Sequence, residues 1–169
     1  MTARTDHPEL HVRGAAIADI ATLAHHRVEM FRDMGQLTEH NERELARASE
    51  TFFREVLASS EYIAWLAVTI GAPERVVAGA GLWLRPMLPR PTPTGIIQGR
   101  EALIANVYTE RDWRRRGVAA LLMRHVLDYT RQHDVPRVLL HASDDGRPLY
   151  ESLGFEPTNE MKLGPPILK

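Results

Sequence analysis

The residue types that hold a phosphate come together between positions 109 and 120, Thr-Glu-Arg-Asp-Trp-Arg-Arg-Arg-Gly-Val-Ala-Ala. A strand-like stretch, Ala102 to Thr109, leads into this run, and a helix-like stretch, Val118 to His133, leads out. Arg114-x-x-Gly117-x-Ala119 therefore falls where a strand becomes a helix. The first N–H groups of a helix have no partner within it. Together with the helix dipole they form an anion site suited to phosphate. Gly117 and Ala119 leave room for a ligand to approach the backbone, and Arg114, Arg115 and Arg116 add positive charge. The chemistry implied is the holding of a pyrophosphate. The competing reading is a solvated arginine face at a helix start.

Other groupings are weaker. His25 and Glu29 lie four apart on one helix face, with His26 beside them, but no third metal ligand follows at a recognisable spacing. No metal site is expected. Gly79-Ala80-Gly81 falls within a strand and lacks the third glycine of a dinucleotide loop, and no Gly-x-x-x-x-Gly-Lys-Ser/Thr occurs. The absence of cysteine excludes disulfides, thiolate metal sites and a thiol nucleophile.

Those residues need a scaffold. The chain has 169 residues, 44% hydrophobic and 25% charged, enough for one α/β domain, here taken as residues 1–169. A net charge of -1 argues against a nucleic-acid binder, which would be markedly basic. The polar start, Met1 to Pro8, lacks the apolar core of a signal peptide. No stretch approaches the ~20 apolar residues of a membrane span. The expected location is cytoplasmic.

Leu10 to Arg13 reads as a short strand. Ile20, Leu23, Ala24, Val28 and Phe31 give Ala18 to Met34 a helical spacing, and Glu39 to Ser59 reads as a second, strongly charged helix. Tyr62 to Ile70 and Val76 to Leu84 read as a hairpin around Gly71-Ala72-Pro73. Pro86 to Gly99, with four prolines and two glycines, reads as an irregular loop bordering a cleft or a partner subunit. The helix after Gly117 carries an apolar stripe, Val118, Leu121, Leu122, Val126 and Tyr129, with Arg124, Asp128 and Arg131 opposite. Val135-Pro136 stops it, and Val138 to Ala142 follows as a buried strand parallel to the strand before the helix. Ligands bind beyond the carboxyl ends of such strands, where the arginine turn lies.

A second run, Leu149-Tyr150-Glu151-Ser152-Leu153-Gly154-Phe155, follows that strand. Strand, Arg-x-x-Gly-x-Ala helix, strand, then Leu-Tyr-x-x-Leu-Gly-Phe resembles the coenzyme A binding half of the GNAT superfamily of N-acyltransferases. The resemblance covers Glu101 to Phe155 and implies a mixed, mostly antiparallel sheet of six or seven strands with helices on both faces. It implies acetyl-coenzyme A as co-substrate. Its pantetheine arm would lie along Val107, Tyr108 and Thr109, and its phosphates on the N–H groups of Arg115, Arg116, Gly117, Val118, Ala119 and Ala120. Tyr150 falls on the tyrosine that points at the cofactor sulfur. A thiol pKa of ~8.5 against ~10 for a phenol makes full proton transfer modestly uphill, so hydrogen bonding to the departing sulfur suits it. Ser143 stands where many members have a cofactor-contacting asparagine.

The resemblance also implies direct attack by a primary amine within a ternary complex. Val138 occupies the position where some members carry a glutamate base. Glu101, a water oriented by Asn106, and a water chain to solvent remain as routes for the amine's proton. The acceptor wall would span Met30 to His40, with apolar surface from Met30, Phe31 and Met34 and cation attraction from Asp33 and Glu39. The expected acceptor is a small-molecule amine and the expected assembly a homodimer. The alternatives are a protein N-acetyltransferase and a non-catalytic coenzyme A binding or regulatory domain.

Overall fold

In the computed structural model, residues 7–164 are described. Five strands form one sheet in the order β1-β2-β3-β4-β5: β1 Leu10–Gly14, β2 Tyr62–Thr69, β3 Val76–Thr92, β4 Gly95–Thr109 and β5 Val138–Leu140. The first four are antiparallel neighbours, and β5 runs parallel to β4. Five strands replace the expected six or seven, because among the described residues no strand follows β5. After α4 the described residues, up to Gly164, instead run on without regular structure.

Helices cover both faces. α1 (Ile20–Asp33, entered through a 3-10 turn at Ile17–Asp19) and α2 (Glu39–Ala58) lie on one. Their Ile20, Leu23, Phe53 and Val56 bury against Tyr62, Ala64, Leu66 and Val68, the alternate residues of β2. Thr38 starts α2 by accepting from Asn41 N, while the Asn41 side chain accepts from Thr38 N. On the other face α3 (Val118–Gln132) buries Val118, Leu121, Leu122, Met123 and Val126 against β3 and β4. This is the stripe expected from the sequence, extended by Met123. Each such side chain contributes about 1.5–3 kcal/mol on burial. α4 (Arg147–Ser152) closes that face.

The segment Pro86 to Gly99 is not an irregular loop. It continues β3 and β4 as a hairpin arm, with Pro86 opposite Arg100, Pro91 opposite Ile96 and Thr92 opposite Gly95. β2 pairs with β3 only up to Trp83, so beyond it β3 has an open edge. A proline's missing N–H costs nothing on such an edge, which is why this proline-rich stretch remains a strand.

Candidate functional site

Two breaks in β4 open the sheet. The parallel pairing with β5 ends at Ile104–Leu140, so among the described residues β4 from Ala105 onward has no strand beside it on that edge. On the other edge the register with β3 slips: Gly81 faces Ala105 and Gly79 faces Tyr108, leaving Asn106 and Val107 opposite Ala80 alone. Asn106 takes the left-handed conformation, φ 58°, at this bulge. Its amide nitrogen donates to Leu23 O at 3.0 Å, tying β4 to α1, while its buried Oδ1 has no partner among the described residues.

The arginine turn lies at the end of this opened strand. Arg115 (φ 62°) and Gly117 (φ 81°) are both left-handed, and α3 starts directly after. The first helix bond is Leu121 N to Gly117 O at 3.0 Å. Among the described residues the N–H groups of Arg115 through Ala120 donate to no loop or turn carbonyl. A run of free donors at a helix start therefore points outward, and the backbone fits a pyrophosphate.

The three arginine side chains do not act as one cluster. Arg114 turns toward α1, bonding Asp33 and Thr109 O and lying 5.4 Å from the Tyr108 ring centre. Arg116 lies over the Trp113 ring at 5.1 Å. Arg111 also donates to Asp33, at 3.0 Å. Burial would raise the Asp33 carboxyl, but these arginines outweigh it and hold it below the usual range. Asp33 is thus already compensated and offers little to a further cation.

Opposite the opened strand, Ser143 follows β5 and shapes the entry to α4. Its Oγ accepts from Gly146 N at 3.2 Å, leaving its hydroxyl proton available to a ligand. A Cβ on Gly146 would come 2.9 Å from Tyr150 Cε2 and 3.2 Å from Ser143 Oγ, so only glycine permits this closeness. Tyr150 is held between Gly146 and the edge of Phe155, ring centres 6.1 Å apart. Its hydroxyl bonds to no described residue, and burial raises its pKa above the ordinary phenol value.

Val107, Tyr108, Thr109, Arg114, Ala119, Ser143 and Tyr150 all line one cleft of about 1270 Å³. Arg115, Arg116, Gly117, Val118 and Ala120 are not among the residues that line it. The cleft runs on between α1 and α2, where Met30, Phe31 and Met34 line it as expected. Glu39 does not.

Glu101 is removed as a base. Arg85 Nε and Arg137 Nη1 donate to its two oxygens at 2.7 and 2.6 Å, and it does not line the cleft. Burial would raise its carboxyl, but hydrogen bonds from Arg137 and Arg85 prevail and lower it. His25 and His26 diverge: His25 bonds Glu110 at 3.1 Å, whereas His26 turns into the core with neither ring nitrogen bonded to any described residue.

Sequence reasoning missed Arg27 and Tyr62, which also line the cleft. One signal was present: Arg27 stands four residues from both Leu23 and Phe31, on the apolar side of its helix.

A model of the acetyltransferase (GNAT) family matches residues 20–155. The fold is similar to a GCN5-related N-acetyltransferase from Ralstonia eutropha JMP134, with 27% identity and TM-score 0.80, over 92% of this chain and 97% of that one. It is also similar to a predicted acetyltransferase from Clostridium acetobutylicum solved with acetyl-CoA, with 27% identity and TM-score 0.75, over 92% and 96%. A Trypanosoma brucei acetyltransferase shares the fold at 20% identity and TM-score 0.62, over 92% and 99%. No curated protein matches the chain.

Proposed function

The chain belongs to the acetyltransferase (GNAT) family, and from that premise we propose that it moves the acetyl group of acetyl-coenzyme A directly to the primary amine of a small molecule. The observation that carries this reading is the continuity of the cleft. One cavity of about 1270 Å³ reaches from the opened edge of β4, past Tyr150, to the space between α1 and α2. Donor and acceptor can share it, so no acyl-enzyme is needed, and without cysteine none can form on a thiol.

Bound acetyl-coenzyme A supplies an activated acyl thioester. The chain supplies the rest. The N–H groups of Arg115 to Ala120 hold the diphosphate, and the open edge of Val107 to Thr109 receives the pantetheine amides. A backbone N–H near Val107 or Tyr108 meets the charge that develops on the carbonyl oxygen. Ser143 donates to the arm from the opposite wall. Asn106 Oδ1 is an acceptor without a partner among the described residues, and it orients a water that takes the amine's proton toward solvent. Tyr150 keeps its proton at neutral pH and presents it to the departing sulfur.

The reading extends to one acetyltransferase domain over the whole chain, acting in the cytoplasm. No helix among the described residues is long and apolar enough to cross a membrane. It extends also to a homodimer formed through the hairpin arm, where Leu88 is 84% and Ile96 65% exposed. Light scattering that gives only the 19.1 kDa monomer at high concentration would remove the dimer.

Free-thiol release from acetyl-coenzyme A across a panel of small amines and basic peptides tests the function. Thiol release that depends on a small amine supports it. Release only with peptides would make the chain a protein acetyltransferase. Coenzyme A binding without release would make it a non-catalytic binding domain.

A further inference from the structure

At the α1–α2 end of the cleft lies a charge that no acid among the described residues neutralises. Arg27 lines the cleft half-buried, and its guanidinium lies 5.0 Å from the Phe31 ring centre. Among the described residues no carboxylate, carbonyl or hydroxyl accepts from it. Burial holds its pKa below the usual arginine range. The nearby acids are all taken. Glu29 pairs with Arg32 and stands 3.9 Å from Arg111, Glu42 pairs with Arg32 at 2.6 Å, and Asp33 pairs with Arg111 and Arg114.

A second donor lines the same cleft. The Tyr62 hydroxyl is buried and has no hydrogen-bond partner among the described residues, and the charge of Arg27 opposes the rise that burial gives its pKa. Tyr62 occupies the space over Gly81, where a Cβ would overlap its hydroxyl. Leaving a cation and a hydroxyl without acceptors in an aromatic surrounding is costly. Such a site is completed by a group that accepts from both.

The opposite wall has the opposite sign. Besides the compensated Asp33, the acids lining the cleft are Asp144 and Asp145, on the same loop as Ser143 and next to the helix of Tyr150. The cleft is therefore positive at the α1–α2 end and negative where the amine must react.

We infer that the acceptor is an amine that also carries an oxyanion, a carboxylate or a phosphate, held by Arg27 with Tyr62 at the α1–α2 end of the cleft. The fork of a guanidinium suits two oxygens of one such group. Phe31, Phe52 and Trp83 receive the apolar body between the two charges. This assigns a substrate class to the acyl-transfer reading and rests on it for the identity of the lobe.

The test uses matched amines: phenylalanine with phenethylamine, β-alanine with propylamine, and O-phosphoethanolamine with ethanolamine. Thiol release and thermal shift are read for the native protein, Arg27→Gln, Arg27→Lys and Tyr62→Phe. The expected result is a lower KM for the oxyanion member of at least one pair. Arg27→Gln should raise that KM about 10- to 100-fold with kcat little changed and leave the neutral member unaffected. Arg27→Lys should recover part of the loss, and Tyr62→Phe should cost less than Arg27→Gln. Which pair responds tells carboxylate from phosphate. Preference for neutral members, or an equal effect of Arg27→Gln on both members, overturns the inference. An Arg27-dependent thermal shift by an oxyanion member with no thiol release would uphold the subsite and refute acyl transfer. Absence of both would overturn the subsite.

Discussion

His26 makes the stability of this protein fall in mild acid. The residue is 1% exposed, and it fits so closely against β3 that a Cβ on Gly79 would come 2.7 Å from its Nδ1. Burial first, and the neighbouring His25 second, push its pKa from 6.5 down to about 4. Glu110 Oε1 lies 4.0 Å from His26 Nε2, beyond hydrogen-bond reach and already engaged by His25, so an imidazolium would gain little there. The folded pKa is depressed, so the contribution is intact above pH 6.5, where both states are neutral. As pH falls from 6.5 toward about 4, the unfolded chain takes up a proton that the folded chain refuses. Each unit costs up to about 1.4 kcal/mol, or about 3 kcal/mol across the window. That is a large share of the stability of an ordinary domain, about 5–15 kcal/mol. It corresponds to a melting-temperature drop of about 6–12 °C for a chain of this size. The assay is urea unfolding at closely spaced pH values for the native protein and His26→Met, which fills the same space without titrating. The native curve should slope down between pH 6.5 and 4.5 and the variant should be nearly flat there. Carboxylates held low by arginine, Asp33 and Glu101 among them, lose their contribution only in more acid solution. Parallel curves for the two proteins would refute the reasoning, as would a His26 imidazole titrating near 6.5 by NMR.

Tyr150→Phe should separate chemistry from folding. The hydroxyl bonds to no described residue, so stability should change by less than about 1 kcal/mol. The single-turnover rate should fall about 10²- to 10⁴-fold, and an unchanged rate would remove Tyr150 from the mechanism. Because burial raises this phenol, the native rate should not decline between pH 7 and 9 for want of its proton; a fall that Tyr150→Phe abolishes would contradict this. Gly117→Ala should cost about 1–2 kcal/mol, since φ is 81° there and its Cβ would lie 3.2 Å from His7 Nε2. Coenzyme A should raise the native melting temperature and lose this effect in Gly117→Glu, which puts bulk and negative charge at the helix start; an equal shift in both would sink the phosphate site.

What the sequence determined by itself is local. A strand, a glycine and an apolar helical stripe within about 30 residues are enough to point to the turn from Thr109 to Ala120, because the N–H groups of a helix start belong to its own backbone. The Tyr150 run is likewise a short-range signal, and the pairing of Asp128 with Arg131 at 2.8 Å follows from helical spacing alone. Tertiary structure decided which charges remain available. Glu101 and Asp33 read as free carboxylates along the chain, yet Arg137 reaches Glu101 from 36 residues away, and Arg111 and Arg114 reach Asp33 from 78 and 81. Among the described residues Arg27 is left without a pairing acid by the same competition. The proline-rich arm became strand because β2 ends and leaves β3 an open edge. Asn106 became a clasp on α1 because the bulge turns it toward Leu23 O, 83 residues distant in sequence. Backbone donors and helical faces are set by neighbours a few residues apart, whereas the compensation of a charge depends on which distant side chain the fold brings within about 3 Å.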